Sequence, residues 1–160
     1  MSDNEVLLRA ASEFLLCIES LCFMIFHLAK MLKRLLIVED QSADLRVALD
    51  VVKGFGASFV EARTSITAAK IYLESALEGK EPLPELIIVD LDLGYESGFE
   101  LMRFWHGNPK LSNVHLIVWT IMGDEQRDIC RMFKVDAIVS KAEGASALRR
   151  AIEPFAAAAS

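Results

Sequence analysis

The segment Leu86-Ile87-Ile88-Val89-Asp90 constrains the fold more than any other part of the chain. Four apolar residues run without polar alternation and stop at a carboxylate. A strand with one solvated face alternates, so a run of this kind is buried on both faces, as in a parallel sheet covered by helices on each side. In open α/β sheets ligands sit outside the carboxyl ends of the strands. Asp90 stands at that end, where a carboxylate costs free energy unless it is solvated, paired or metal-bound. Taken alone, the stretch also reads as a strand followed by an ordinary polar turn. The remaining chain decides between the two.

The same punctuation recurs along the sequence. Leu35-Leu36-Ile37-Val38 is a buried-strand run ending in Glu39-Asp40. Ser42-Ala43-Asp44 offers helix N-cap chemistry, and Leu45 to Val52 follow at helical spacing until Gly54-Phe55-Gly56. Ala57 to Ala62 reads as a second strand, and Thr64 or Ser65 caps a helix through Leu77. After the strand ending at Asp90, Gly98 opens a helix that closes near Gly107-Asn108-Pro109. His115 to Thr120 is a fourth strand, and Gly123 starts a helix to about Phe133. Asp136 to Lys141 is a fifth strand, and Ser146 to Phe155 a final helix. Strand and helix alternate five times, which predicts an α/β domain: a doubly wound, five-stranded parallel sheet with helices on both faces.

A chain of 160 residues suits one such domain with a real core. Its net charge of -6 and pI near 5.1 argue against nucleic acid as a partner. Cys17, Cys22 and Cys130 match neither a zinc spacing nor a disulfide framework, which predicts a reduced, cytoplasmic setting. His106 and His115 lack ligand spacing, and Trp105 and Trp119 read as core or interface aromatics. Arg149-Arg150 reads as a solvated helix face.

Residues 1–32 stand apart from the alternating pattern. Glu5 to Arg34 contain no Pro or Gly, and their polar residues gather on about half of a helical circumference. Phe14, Leu21, Leu28 and Leu32 belong to the opposite, apolar side. Glu19, His27 and Lys30 interrupt any membrane span, and the acidic start without a small-residue cleavage site argues against a signal peptide. The pattern therefore predicts an amphipathic helical extension over 1–32 and the sheet domain over 33–160. Three readings of the extension stay open. It pairs with itself in a homodimer through residues 5–32 or docks on a partner, it lies on a membrane surface, or it is a translated segment upstream of a start at Met31.

Right-handed crossovers bring the carboxyl ends of all five strands to one rim. Glu39, Asp40, Asp90, Thr120 and Lys141 lie there. Three nearby carboxylates repel one another and favour a hard divalent cation. Mg²⁺ suits, because it takes few carboxylates and keeps places for water and phosphate oxygens. A lysine and a hydroxyl across the pocket would hold an anion. These are parts for phosphoryl transfer to a carboxylate.

From about Lys33 to Phe155 the chain resembles a response-regulator receiver domain of two-component signalling. The resemblance rests on the Glu39-Asp40 pair after the first strand, on Asp90 at the phosphoacceptor position, on Gly98 eight residues later, and on Thr120 and Lys141 at the switch-hydroxyl and lysine positions. It implies a flavodoxin-like fold and a stand-alone regulator that is not an enzyme beyond handling its own phosphoryl group. It also implies a histidine kinase or phosphotransfer protein as donor, and a downstream protein as the receiver of the signal. By the same resemblance Mg²⁺ is held by Asp40, Asp90 and the backbone carbonyl of Asp92, with Glu39 acting through water and Lys141 pairing with a phosphoryl oxygen.

The chain departs from the family in several places. Ile121 follows the switch hydroxyl where a small residue is usual, and it would crowd the phosphoryl entrance. Ala142 replaces the proline after the lysine, and Ile138 replaces the switching aromatic. Gly94 stands for a usual proline, and Asp92 adds charge beside the acceptor. These departures leave room for a receiver-like scaffold or dimerisation module that is never phosphorylated. Asp90-Leu91-Asp92 also resembles the Asp-x-Asp motif of haloacid-dehalogenase-type phosphatases. That motif normally opens its chain and is followed by a cap and a late acidic pair, for which too little chain remains here.

Overall fold

The structure is a computed structural model that describes residues 32–121 and 123–158. In chain order the elements are β1 (Arg34–Val38), α1 (Ser42–Lys53), β2 (Phe59–Arg63), α2 (Ile66–Leu77) and β3 (Leu86–Val89). A small hairpin, β4 (Asp92–Leu93) and β5 (Glu96–Ser97), leads into α3 (Gly98–Gly107). Then come β6 (His115–Thr120), α4 (Asp124–Met132), β7 (Ala137–Ser140) and α5 (Gly144–Ala158). Short 3₁₀ turns at Pro109–Leu111 and Lys141–Glu143 complete the chain.

The main sheet has the order β2-β1-β3-β6-β7, with every pairing parallel. The five-strand doubly wound fold therefore stands. Its inner strands β1, β3 and β6 carry no polar face because successive residues feed two separate cores. Leu36, Val38, Ile87, Val89, Leu116 and Val118 pack under α2 and α3 with Leu73, Leu101 and Met102. Leu35, Ile37, Leu86, Ile88, Ile117 and Trp119 pack on the other face with Val52, Leu148 and Ile152 of α1 and α5. Each large side chain so buried stabilises the fold by roughly 1.5–3 kcal/mol.

Element ends follow sequence chemistry in most places. Ser65 caps α2, its hydroxyl accepting from Ala68 N–H at 3.2 Å. At α1 the expectation needs correcting. The capping position is Gln41, whose side chain makes no cap bond, and Asp44 lies inside the first turn, free for other work. The β4–β5 hairpin was not anticipated. Its tight turn places Gly94 at φ +67°, which glycine adopts freely and proline cannot, so glycine here suits the turn.

The expectations for a helical extension, a homodimer contact and membrane-surface binding fall on residues outside those described. Leu32, counted on the apolar face of that extension, lies outside any helix and is buried in the α1–α5 core. Among the described residues no helix is long and apolar enough to cross a membrane.

Candidate functional site

In the strand order β2-β1-β3-β6-β7 the winding reverses between β1 and β3, and the crevice at their carboxyl ends is where such sheets bind ligands. Glu39 and Asp40 follow β1, and Asp90 follows β3. A cleft of about 240 Å³ opens there, lined by Asp40, Gln41, Asp44, Asp90, Asp92, Gly94, Thr120, Ile121 and Lys141. A larger groove between α1 and α5, lined by Val47, Asp50, Val51, Ala145, Ser146 and Arg149, lies away from these groups and brings no comparable polar set together.

The backbone fixes the two buried acids. Glu39 N–H donates to the Arg63 carbonyl at 2.9 Å and Asp90 N–H to the Val38 carbonyl at 3.0 Å, so each acid begins where its strand is still held by its neighbour. Glu39 is 1% exposed and Asp90 5%. Gly98 opens α3 against the loop that follows Asp90. A Cβ there would lie 2.3 Å from the Asp90 carbonyl oxygen and 2.8 Å from Leu91 Cα, a distance that only glycine permits. Gly98 N–H also donates to the Leu91 carbonyl at 3.0 Å, which ties the loop to the helix.

Lys141 unites the acids. Its side chain is 7% exposed, and its Nζ lies 2.6 Å from Asp90 Oδ2, 2.7 Å from Glu39 Oε2 and 2.8 Å from Asp44 Oδ2. The bond to Asp90 has good hydrogen-bond geometry, whereas the contact with Glu39 is an ion pair without it. The ammonium also sits 5.3 Å from the Trp119 ring centre. Burial pushes the lysine down, but the bonds to Asp44, Asp90 and Glu39 outweigh it and hold the group above its ordinary value. Burial pushes the Glu39 carboxyl up, opposed by Lys141 and by the Gln41 N–H that donates to Oε1 at 3.0 Å. Asp90 Oδ1 accepts from Asp92 N–H at 3.2 Å.

Of the candidate phosphate- and metal-handling residues, Asp40, Asp90, Asp92, Thr120 and Lys141 line the cleft, and Glu39 reaches it through Lys141. One detail differs from expectation. Lys141 is not across the pocket from the acids but among them, in contact with Glu39, Asp44 and Asp90, so their mutual repulsion is already met by a cation. Ile121 is exposed at the mouth and does not fill it, Ile138 packs against the core, and the described peptide bonds, including the one after Lys141, are trans.

Asp44 is the site residue that sequence reasoning missed. No local signal marks it, because Asp44 sits in the first turn of α1 and its lysine partner lies far along the chain.

Among the described residues no three His, Cys, Asp or Glu side chains group as a metal cage. The rim nonetheless fits a hard divalent ion that takes one or two carboxylates and keeps its waters. Asp40 Oδ1 is buried without any hydrogen-bond partner, an atom whose desolvation goes uncompensated unless something binds it.

Known proteins resemble much of this chain. The chain matches no known family profile. The polar-differentiation response regulator DivK of Brucella ovis is 26% identical over 114 residues, covering 69% of this chain and 85% of DivK. The Mn²⁺-bound form of response regulator Rcp1 superposes with a TM-score of 0.68 at 26% identity, covering 79% of this chain and 95% of Rcp1. The phosphorylated cyanobacterial phytochrome response regulator RcpA superposes with a TM-score of 0.65 over 77% of this chain and 90% of its own. At 21% identity that likeness speaks for the fold alone.

Proposed function

We propose that this chain, a response-regulator receiver domain, accepts a phosphoryl group on Asp90 and signals by binding another protein. The observation that carries the reading is the buried contact of Lys141 Nζ with Asp90 Oδ2 at 2.6 Å, in a cleft shared with Asp40 and Thr120. An apolar-core role explains neither a buried lysine nor an orphaned Asp40 oxygen at a sheet's switch point.

In the proposed reaction an Asp90 oxygen attacks the phosphorus of a phosphohistidine on a histidine kinase or phosphotransfer protein. The P–N bond breaks, and the leaving imidazole takes a proton. Lys141 balances the charge that arrives on the phosphoryl oxygens, and the Thr120 hydroxyl is at hand to donate to one of them. Asp40, Asp90 and the Asp92 carbonyl would hold Mg²⁺, which when bound neutralises the transferred group and aligns it for in-line displacement. Hydrophobic side chains exposed at Ile121, Ile129 and Met132 support an output by protein contact. The amphipathic pattern of residues 5–31 supports a homodimer in a cytoplasmic protein, Leu32 being taken up by the domain core. A phosphatase of the haloacid-dehalogenase type normally has its nucleophile motif at the opening of the chain, whereas Asp90 follows the third strand.

Incubation with acetyl phosphate and Mg²⁺ tests the reading. One phosphoryl mass should appear on Asp90 and none in Asp90→Asn, because an amide is a far poorer nucleophile than a carboxylate. Equal labelling of the Asn variant would remove the assignment.

A further inference from the structure

We infer that Asp44 is a positioning residue that occupies Lys141 in the resting state and so slows phosphorylation of Asp90; this rests on the acceptor reading above. An ammonium has three N–H donors. Lys141 Nζ donates to Asp90 and lies in ion-pair contact with Glu39 and Asp44, at 2.6, 2.7 and 2.8 Å, so carboxylate oxygens crowd the ammonium on three sides and stand in the way of an incoming phosphoryl oxygen. One carboxylate must give way before the lysine meets the transferred group.

The three differ in what release costs. Glu39 is buried, and its other oxygen is pinned by Gln41 N–H, so release would strand a carboxylate in a dry place. Asp90 is the reacting group itself, fixed at its strand end. Asp44 has a side chain 35% exposed, on the first turn of α1, with no other ion pair among the described residues. Water solvates it as soon as it turns outward, so Asp44 is the partner that yields. Until it does, it also places a negative charge where a phosphate dianion must arrive.

With acetyl phosphate as the probe, an Asp90 oxygen forms the new P–O bond, the acetyl O–P bond breaks and acetate leaves. Asp44 takes no part in that exchange of bonds. It sets how readily the lysine turns to the phosphoryl oxygens. Asp44→Asn and Asp44→Ala should therefore label about fivefold faster than wild type in Mg²⁺, the size expected for losing a partly exposed charge pair. Asp44→Glu should restore slow labelling. The acceleration should shrink toward none in about 1 M salt, where screening acts within about 3 Å. A purely structural role would not give that salt dependence.

Wild-type labelling with Asn and Ala variants at the wild-type rate, or below it, overturns the role of Asp44 while leaving Asp90 as the acceptor. Absence of label from wild type overturns the acceptor reading and this inference together. Far-ultraviolet circular dichroism on each variant separates a change of rate from a loss of fold.

Discussion

Helices α2 and α4 cover the same face of the sheet and are held in different ways. Helix α2 buries Ile66, Ala69, Tyr72, Leu73 and Ala76, and its Tyr72 hydroxyl donates to the Pro82 carbonyl at 2.6 Å. Its N-terminus is capped twice. Ser65 accepts from Ala68 N–H, and Glu96, reaching over from the β4–β5 hairpin, accepts from Ile66 N–H at 2.6 Å and Thr67 N–H at 3.2 Å and from the Thr67 hydroxyl. Helix α4 buries Cys130 alone among its described side chains, while Ile129 is 41% exposed and Met132 79%. Local stability follows buried apolar contacts. The hairpin that follows Asp90 is thus tied to an anchored helix, and the helix after Thr120 is lightly attached. The acceptor role proposed for Asp90 calls for that asymmetry, a fixed loop beside an element free to move.

What the open side lacks in apolar packing it has in charge. Edge strand β7 ends at Ser140, and Lys141 follows as the cation under Glu39, Asp44 and Asp90. Lys141→Ala leaves two carboxylates buried without a cation and should lower unfolding free energy by about 3–5 kcal/mol in urea titrations at pH 7. Burial already raises Glu39 above its ordinary value, so its charged form costs stability once pH exceeds the unfolded value. The variant's deficit should therefore shrink as pH falls and the acids protonate. A loss below about 1 kcal/mol would mean that packing, not charge, holds that edge.

The anchored helix gives the next effect. Leu73 is fully buried in the α2 face of the core, and Leu73→Ala should cost about 2–4 kcal/mol through transfer and cavity terms. Labelling of Asp90 should survive below the lowered melting point. Ile129→Ala in α4 is the matched control. Equal losses at the two positions would erase the contrast between the helices.

These contacts also mark the limit of what sequence reveals. The inner strands β1, β3 and β6 were legible because burial on two faces leaves an unbroken apolar run, and Gly98 because its spacing from Asp90 accompanies the helix start. Asp44 was not, since Ser42-Ala43-Asp44 carries the composition of a helix cap and its lysine partner lies far along the chain. The hairpin at 92–97 has two residues in each strand, too few to show a period. Glu96 reads as one more polar loop residue until the fold brings it to the N-terminus of α2.

Glu96 is itself the next test. Its hydrogen bonds with Thr67 and Ile66 hold the carboxyl below its ordinary value, so the stability it adds is present above the unfolded value near 4.5 and lost as pH falls through the lower, folded value. The group faces water, so Glu96→Gln should cost only about 0.5–1 kcal/mol at pH 7. Wild type and variant should converge in acid. A constant difference from pH 7 to pH 3 would show that shape rather than charge ties the hairpin to α2.

The smallest expected effect lies on the open side. Ile129 and Met132 are three apart on α4 and share a face, and both are exposed. Replacing both with serine removes little buried surface and should change stability by no more than about 0.5 kcal/mol, with Asp90 labelling unchanged. Backbone amides of α4 should exchange with deuterium well before those of α2 in wild type and variant alike, because exchange follows the few buried contacts that the substitutions leave intact. If α4 proves as protected as α2, or if the double substitution costs as much as Leu73→Ala, these side chains pack as core, and α4 loses its place as the lightly held element beside Thr120.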